Sequence, residues 1–308
     1  MSTFTLDKKI IQQLVEVNQL EIPEDELIFI GIRGAIIGNA NDQEFKTKQD
    51  LSLMDVNYIN PRCTILQWRQ DNNKIAAFPG STVPHQGSIK KALAKGGAGA
   101  NSMMTGFYND YRKGMHKAGT ETGHEAFRQN APHPIQRSAD DLDFDKDDRI
   151  EYDNPQDNIH CGWFDGLASS SYASAGCQVV MGFPKCNRPG REKNSGPWRV
   201  FKENAYSISQ NSFPYILLTG MEIFNLVSAG KPKTAKLRYG AFGPLVEALQ
   251  QKLKEQTFYE GRIDGDFGER TLKAVIAFQK KVFGNTGVDG VVGKVTAEEL
   301  ELDLTLPG

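Results

Sequence analysis

Along the first twenty positions the apolar residues fall at helical spacing. Leu6, Ile10, Leu14 and, with some drift, Val17 recur every three or four residues, which predicts an amphipathic helix over 6–19 that Pro23 ends. From Glu26 to Ile37 the pattern changes to a β-branched run, Leu27, Ile28, Phe29, Ile30, Ile32 and Ile36, punctuated by Gly31, Gly34 and Gly38. Further strands are predicted at 63–68, 74–78, 158–160, 178–181 and 214–218, separated by long polar connections. Such spacing fits an antiparallel, β-rich domain with functional loops better than it fits regular βαβ alternation.

Beyond Val227 the stretch to Lys236 holds small residues, a proline and three lysines without a large apolar anchor, the composition of a linker. Helical periodicity follows: Leu245, Leu249 and Leu253 recur at i+4, and Leu272, Val275, Phe278 and Val282 at i+3 or i+4. An internal repeat marks this part. Asp264, Gly265, Phe267, Gly268 and Thr271 recur 25 residues later as Asp289, Gly290, Val292, Gly293 and Thr296. Asp-Gly makes a tight turn, and each threonine is placed to cap the helix after it. The expected organisation is a helical segment at 1–24, a β-rich domain at 25–226, a linker at 227–236, a small all-α domain at 237–302 and a tail at 303–308, an α+β multidomain class.

Composition agrees with two domains. The chain has 308 residues, 39% of them hydrophobic, enough for a core in each. Thirty-six Lys and Arg against 38 Asp and Glu leave a formal charge of −2, so nothing in the overall balance points to nucleic acid as a partner. No apolar run approaches the roughly 18 residues of a membrane-spanning helix. The first residues lack the apolar core of a Sec signal peptide, which points to non-classical export, or to delivery by a phage or injection apparatus. The four cysteines, 63, 161, 177 and 186, form neither a disulfide framework nor a Cys-x-x-Cys pair.

The segment 158–181 carries the candidate chemistry. His160 ends a predicted strand, and Cys177 follows Gly176 on a turn 17 residues later. A hairpin-like return would let the imidazole take the thiol proton, giving a nucleophile. Backbone N–H groups through Gly176 and Cys177 are the natural oxyanion donors. The bland reading is a small buried thiol and a satisfied histidine.

Two resemblances sharpen the picture. Residues 237–302 resemble the three-helix peptidoglycan-binding module, through Leu237, Arg238, Gly240, Leu249, Gln250, Tyr259, the two Asp-Gly turns, Phe278, Gln279 and Leu300. What that implies is attachment to bacterial cell-wall glycan or stem peptide, with Arg238, Tyr239 and Tyr259 as exposed contact candidates. Residues 158–181 resemble the catalytic signature of the L,D-transpeptidase (YkuD-like) family, whose Ile-His-Gly element precedes Ser-His-Gly-Cys. On that resemblance His160 is the general base, Ser174 the signature serine, Gly176 its glycine and Cys177 the nucleophile. Segments 78–82 and 106–108 look like the family's preceding strands. Cys161 stands where the family usually has glycine, Ala175 where it has a second histidine, and Gln178 and Val179 where it has an aliphatic residue followed by Arg or Asn; a divergent branch reads Ser-Ala-Gly-Cys-Gln as here. The implied reaction is cysteine acyl transfer on peptidoglycan stem peptides at the cell wall or periplasm, by transpeptidation or carboxypeptidation. The alternatives are a non-catalytic wall-binding component and a delivered wall-degrading effector.

Gln178, Trp163 and Tyr172 are candidate substrate contacts, and Asp165 a candidate orienter of His160. No cofactor is implied. Asp143, Asp145, Asp147 and Glu151 have part of the spacing of a calcium loop, but lack its glycine and final glutamate, so a solvated acidic loop is the first reading. His116, His124 and His133 are spaced by 8 and 9, which matches no helical zinc motif.

Overall fold

The computed structural model describes residues 2–24, 26–56, 58–59, 61–96, 99–138, 149–169 and 174–306. The chain opens with strand β1 (Thr3–Asp7) and helix α1 (Lys8–Val17), followed by β2 (Leu27–Arg33), β3 (Ala35–Ile37), β4 (Lys48–Leu53), β5 (Cys63–Arg69) and β6 (Lys74–Ser81). Helix α2 (Gln86–Lys95) leads to β7 (Ala100–Met103), β8 (Gly106–His116), β9 (His124–Arg128), β10 (His133–Ser138) and β11 (Arg149–Asp153). Then come β12 (Ile159–Cys161), β13 (Gln178–Val180), α3 (Gly196–Tyr206), β14 (Ser212–Thr219) and α4 (Gly220–Ala229). The C-terminal part holds α5 (Pro244–Glu255), α6 (Glu269–Phe283) and α7 (Lys294–Glu299). The structure thus has the α+β, multidomain character expected. Among the described residues no helix is long and apolar enough to cross a membrane.

The helix expected over 6–19 starts at Lys8, because residues 3–7 pair with β4 and the Asp7 carboxylate accepts from Ile10 N at 3.1 Å, capping α1. Eight strands close a barrel in the order β12-β13-β6-β5-β2-β14-β8-β9. Two of its pairings, β14 with β2 and β12 with β13, are parallel, which the antiparallel expectation missed. The unbroken apolar run of β2 has a direct cause: both faces of the strand are covered. Phe29 points into a barrel core with Phe78, Phe127, Tyr215 and, from α3, Trp198 and Phe201, while Ile28, Ile30 and Ile32 face a second core outside.

That second core contains residues of α1, α4 and the C-terminal helices together. The segment expected as a linker, 227–236, is therefore held against both parts. Val227–Ala229 complete α4; Ala235 N donates to Leu304 O and Lys236 N to Val17 O, each at 2.8 Å, because Ala235 and Leu237 are buried apolar anchors. Phe242 N donates to Gln19 O at 2.8 Å, and Phe107 N to Tyr239 O at 2.9 Å.

The repeat of the C-terminal part has a specific physical basis. Buried Gln250 donates through Nε2 to Asp264 Oδ1 (2.8 Å), Asp266 O and Thr271 Oγ1, and its Oε1 accepts from Asp264 N and Gly265 N. Gln279 does the same for the second copy, donating to Asp289 Oδ1, Val291 O and Thr296 Oγ1 and accepting from Gly290 N. Each Asp-Gly turn is thus cradled by a glutamine of the preceding helix, and each threonine serves that cradle rather than a helix cap. Gln250→Ala should lower stability by about 1–3 kcal/mol, the cost of buried donors and acceptors left unpaired. Urea unfolding checks this, and a loss indistinguishable from that of an exposed Gln251→Ala control would reject it.

Candidate active site

Parallel pairing of β12 with β13, in register Ile159↔Gln178 and His160↔Val179, carries both halves of the candidate dyad to one end of the barrel. Cys177 immediately precedes β13 and is partly exposed. Ring nitrogens of His116 and His160 and the Cys177 sulfur lie within 4.8 Å of one another. The predicted return between His160 and Cys177 is a crossover rather than a hairpin, since both strands run in the same direction.

Local contacts fix the turn that presents the thiol. Gly176 has φ +152°, and a Cβ there would meet Asp157 Oδ1 at 2.4 Å and Asn101 Cβ at 2.6 Å, so the position requires glycine. Ser174 Oγ accepts from Gly176 N at 3.0 Å and donates to Cys177 O at 2.6 Å. The Gly176 amide, expected as an oxyanion donor, is therefore occupied, whereas the Cys177 amide has no acceptor among the described residues. Gln178 is fully buried: its Nε2 donates to Gly176 O (3.1 Å) and its Oε1 accepts from Tyr215 Oη (2.9 Å). It braces the turn from beneath, which corrects its expected role as a substrate contact. Gly31 leaves the room that Tyr215 needs for this, since a Cβ there would lie 2.0 Å from the phenol oxygen.

Hydrogen bonds assign the imidazole tautomers. Asn158 Oδ1 accepts from Gln129 N (3.0 Å), so Nδ2 donates to His116 Nδ1 (2.9 Å), and neutral His116 carries its proton on Nε2. Thr122 O accepts from His124 Nδ1 at 2.7 Å, leaving His124 Nε2 a bare lone pair. His160 Nδ1 and Cys161 Sγ both lie 3.4 Å from that lone pair. His160 thus has Nδ1 turned toward His124, and Nε2 remains for exchange with the cleft. His116 also stacks on His160, ring centroids 4.0 Å apart.

Burial, reinforced by His124, pulls His116 down to about 4; burial, then His116 and His124, holds His160 well below the usual histidine range. Burial, reinforced by Asp157, pushes the Cys177 thiol up to about 12. Burial also raises Asp157 to about 7 against the opposing pull of Asn101 and Arg137. At neutral pH the resting pair is a thiol beside a neutral imidazole, not a thiolate–imidazolium pair.

A cleft of about 810 Å³ opens over this pair, walled by Trp163 and Phe183 and edged by Lys117, Arg188 and Arg191. The Arg191 guanidinium lies 4.0 Å over the Phe183 ring, which holds it at the rim. This cationic edge suits a carboxylate-bearing ligand.

The remaining sequence-derived candidates divide clearly. Trp163 lines the cleft with φ +59°, whereas Asp165 is exposed and His124 takes the orienting position. Arg238 is only 2% exposed and bound to Glu222 and Tyr259 is buried, so these two expected exposed contacts of the C-terminal module are interior residues, while Tyr239 is half-buried, hydrogen-bonded to Tyr152 (3.0 Å) and packed on Tyr108. Glu151 pairs with Arg137 and Arg149; Asp143, Asp145, Asp147 and Tyr172 lie outside the described residues. The dyad's supporting shell, His116, His124, Asn101, Asp157 and Asn158, was missed as such. One signal was available: the 8-residue spacing of His116 and His124 is that of a hairpin, and the two are register partners. His133, by contrast, bonds Asp110 away from the cleft.

Residues 242–300 match the family described as "Putative peptidoglycan binding domain". A solved structure, "The crystal structure of SleB N-terminal domain", is similar to 22% of this chain at 41% identity and covers 90% of its own length, with a TM-score of 0.21. No curated protein matches the chain.

Proposed function

From the premise that residues 242–300 belong to the peptidoglycan-binding domain family, we propose that the chain is a wall-associated cysteine acyltransferase or peptidase acting on peptidoglycan stem peptides, of L,D-transpeptidase type. The observation that carries the catalytic half is the meeting of His160 and Cys177, within 4.8 Å, at the mouth of a cleft with a cationic edge. In this reading His160 takes the Cys177 proton as sulfur attacks the carbonyl between the third and fourth stem residues. The Cys177 amide, which has no acceptor among the described residues, faces the developing oxyanion. The proton then passes to the departing D-alanine amine, and an incoming amine or water releases the thioester.

Arg188 and Arg191 stand in for the Arg or Asn that the family usually places two residues after its cysteine, supplying a fork for the substrate carboxylate from a different loop. Incubation of the intact chain with a stem tetrapeptide, followed by intact and peptide mass spectrometry, tests this. The expected product is a tripeptide thioester on Cys177 with release of one D-alanine. Unmodified Cys177 in protein that binds sacculi would favour the second reading, a non-catalytic wall-binding component, to which the neutral resting thiol also lends itself.

A further inference from the structure

Below the cleft, three potential ligands converge in a way the acyl-transfer reading does not use. His124, His160 and Cys161 are all buried, and their ligand atoms lie within 4.8 Å of one another. His124 Nε2 to His160 Nδ1 and His124 Nε2 to Cys161 Sγ both measure 3.4 Å. For zinc with N ligands at about 2.0–2.1 Å and S at about 2.3 Å, the edges of the tetrahedron come to roughly 3.3–3.6 Å. The two histidine rings are inclined at 61°, which lets each direct a lone pair to a common centre. The upper set, His116, His160 and Cys177, fails this test: its two rings stack nearly parallel at 14°, so no ion could lie in both ring planes.

The metal-free arrangement also sets two donors against one acceptor. His124 spends its one proton on Thr122 O at 2.7 Å, so the Cys161 thiol and the His160 Nδ1 proton compete for a single lone pair. One cation would satisfy all three atoms at once, and the carbonyl behind His124 is the usual orienting partner of a ligating histidine.

We infer that His124 Nε2, His160 Nδ1 and Cys161 Sγ bind one soft divalent transition-metal ion, of which zinc is the model. The ion enters from the cleft, which His160 and Trp163 both line. Cys161 gives its proton to solvent as its sulfur binds, and His160 keeps one proton, now on Nε2. His160 then cannot accept the Cys177 proton, so the loaded site holds the dyad off. Metal binding stands on this geometry alone; only the consequence for activity rests on the acyl-transfer reading.

Cobalt(II) titration of the full chain, made metal-free with chelator, tests the site. One equivalent should produce thiolate-to-cobalt charge-transfer absorption. That absorption should persist in Cys177→Ser and vanish in Cys161→Ser, and His124→Gln should weaken binding by at least about 100-fold, the most that loss of a ligand's hydrogen-bond partner typically costs. X-ray absorption of the zinc-loaded, unaltered protein needs no variant to fold and should show one sulfur and two imidazole nitrogens. An oxygen-only shell, or absorption lost with Cys177 and kept without Cys161, overturns the inference. Since the titration involves no substrate, cobalt binding together with no stem-peptide adduct on the metal-free chain would uphold this site and sink the acyl-transfer reading, and an adduct on the metal-free chain with no cobalt binding would do the opposite.

Discussion

His160→Gln is expected to slow acylation of Cys177 by a stem tetrapeptide about 10²–10⁴-fold, the usual worth of a positioned general base. The size of the effect follows from the resting state. With burial and Asp157 pushing the thiol to about 12, almost no thiolate exists at neutral pH, and attack depends on proton removal at the moment of bond formation. Glutamine fills much the same space without an acceptor of comparable basicity. The native rate should show no titration of His160 between pH 7 and 8, because burial keeps that imidazole neutral there; the variant's rate should climb with pH as hydroxide takes over the deprotonation. Stopped-time mass spectrometry of the Cys177 adduct measures both. Equal rates in the two proteins would remove His160 from the mechanism.

Arg238→Ala is expected to cost about 3–5 kcal/mol of folding stability, because it leaves the Glu222 carboxylate buried without its main partner. Both guanidinium ends engage that carboxylate, Nη1 to Oε2 at 3.2 Å, and the same glutamate closes the capping box of α4 with Thr219. Burial alone would push Glu222 up; the Arg238 charge and hydrogen bonds, with Lys236, outweigh it and hold the carboxyl at about 2 against an ordinary 4.5. A depressed folded-state value contributes stability in full above about 4.5, and that contribution is lost as pH falls toward 2, amounting to about 3 kcal/mol. The native chain should therefore lose stability steeply over that window, and Arg238→Ala much less so. Replacing both partners by apolar residues of similar volume should recover part of the loss. Urea midpoints across pH would decide it; a variant with native stability and a native acid slope would mean that the pair contributes nothing.

Much of the barrel was readable because its strands are buried on both faces and declare themselves as unbroken apolar runs, as Leu27–Ile32 does. Strands with one polar face, such as Lys48–Leu53 and Arg149–Asp153, gave no such run and went unseen. Parallel pairing was invisible for a different reason: nothing local in Ile159–Cys161 states which neighbour it chooses. His160 and Cys177 were legible through their flanking residues and spacing. The residues that tune them were not, since Asn101 and Asp157 come together only through the closure of β7 and β12 around Gly176. Arg238 misled because charge suggests exposure, and only the tertiary structure reveals the carboxylate that pays for its burial.

The common core of α1, α4 and the C-terminal helices has a further consequence. An anchor on a flexible leash lets a catalytic head sweep a volume around each point of attachment, so processed sites scatter. Here there is no leash, and on the proposed reading a C-terminal module seated on the wall would hold the thiol at one fixed offset and azimuth from it. Each modified stem would then lie at one distance from the point of attachment, set by the protein's own rigid dimensions.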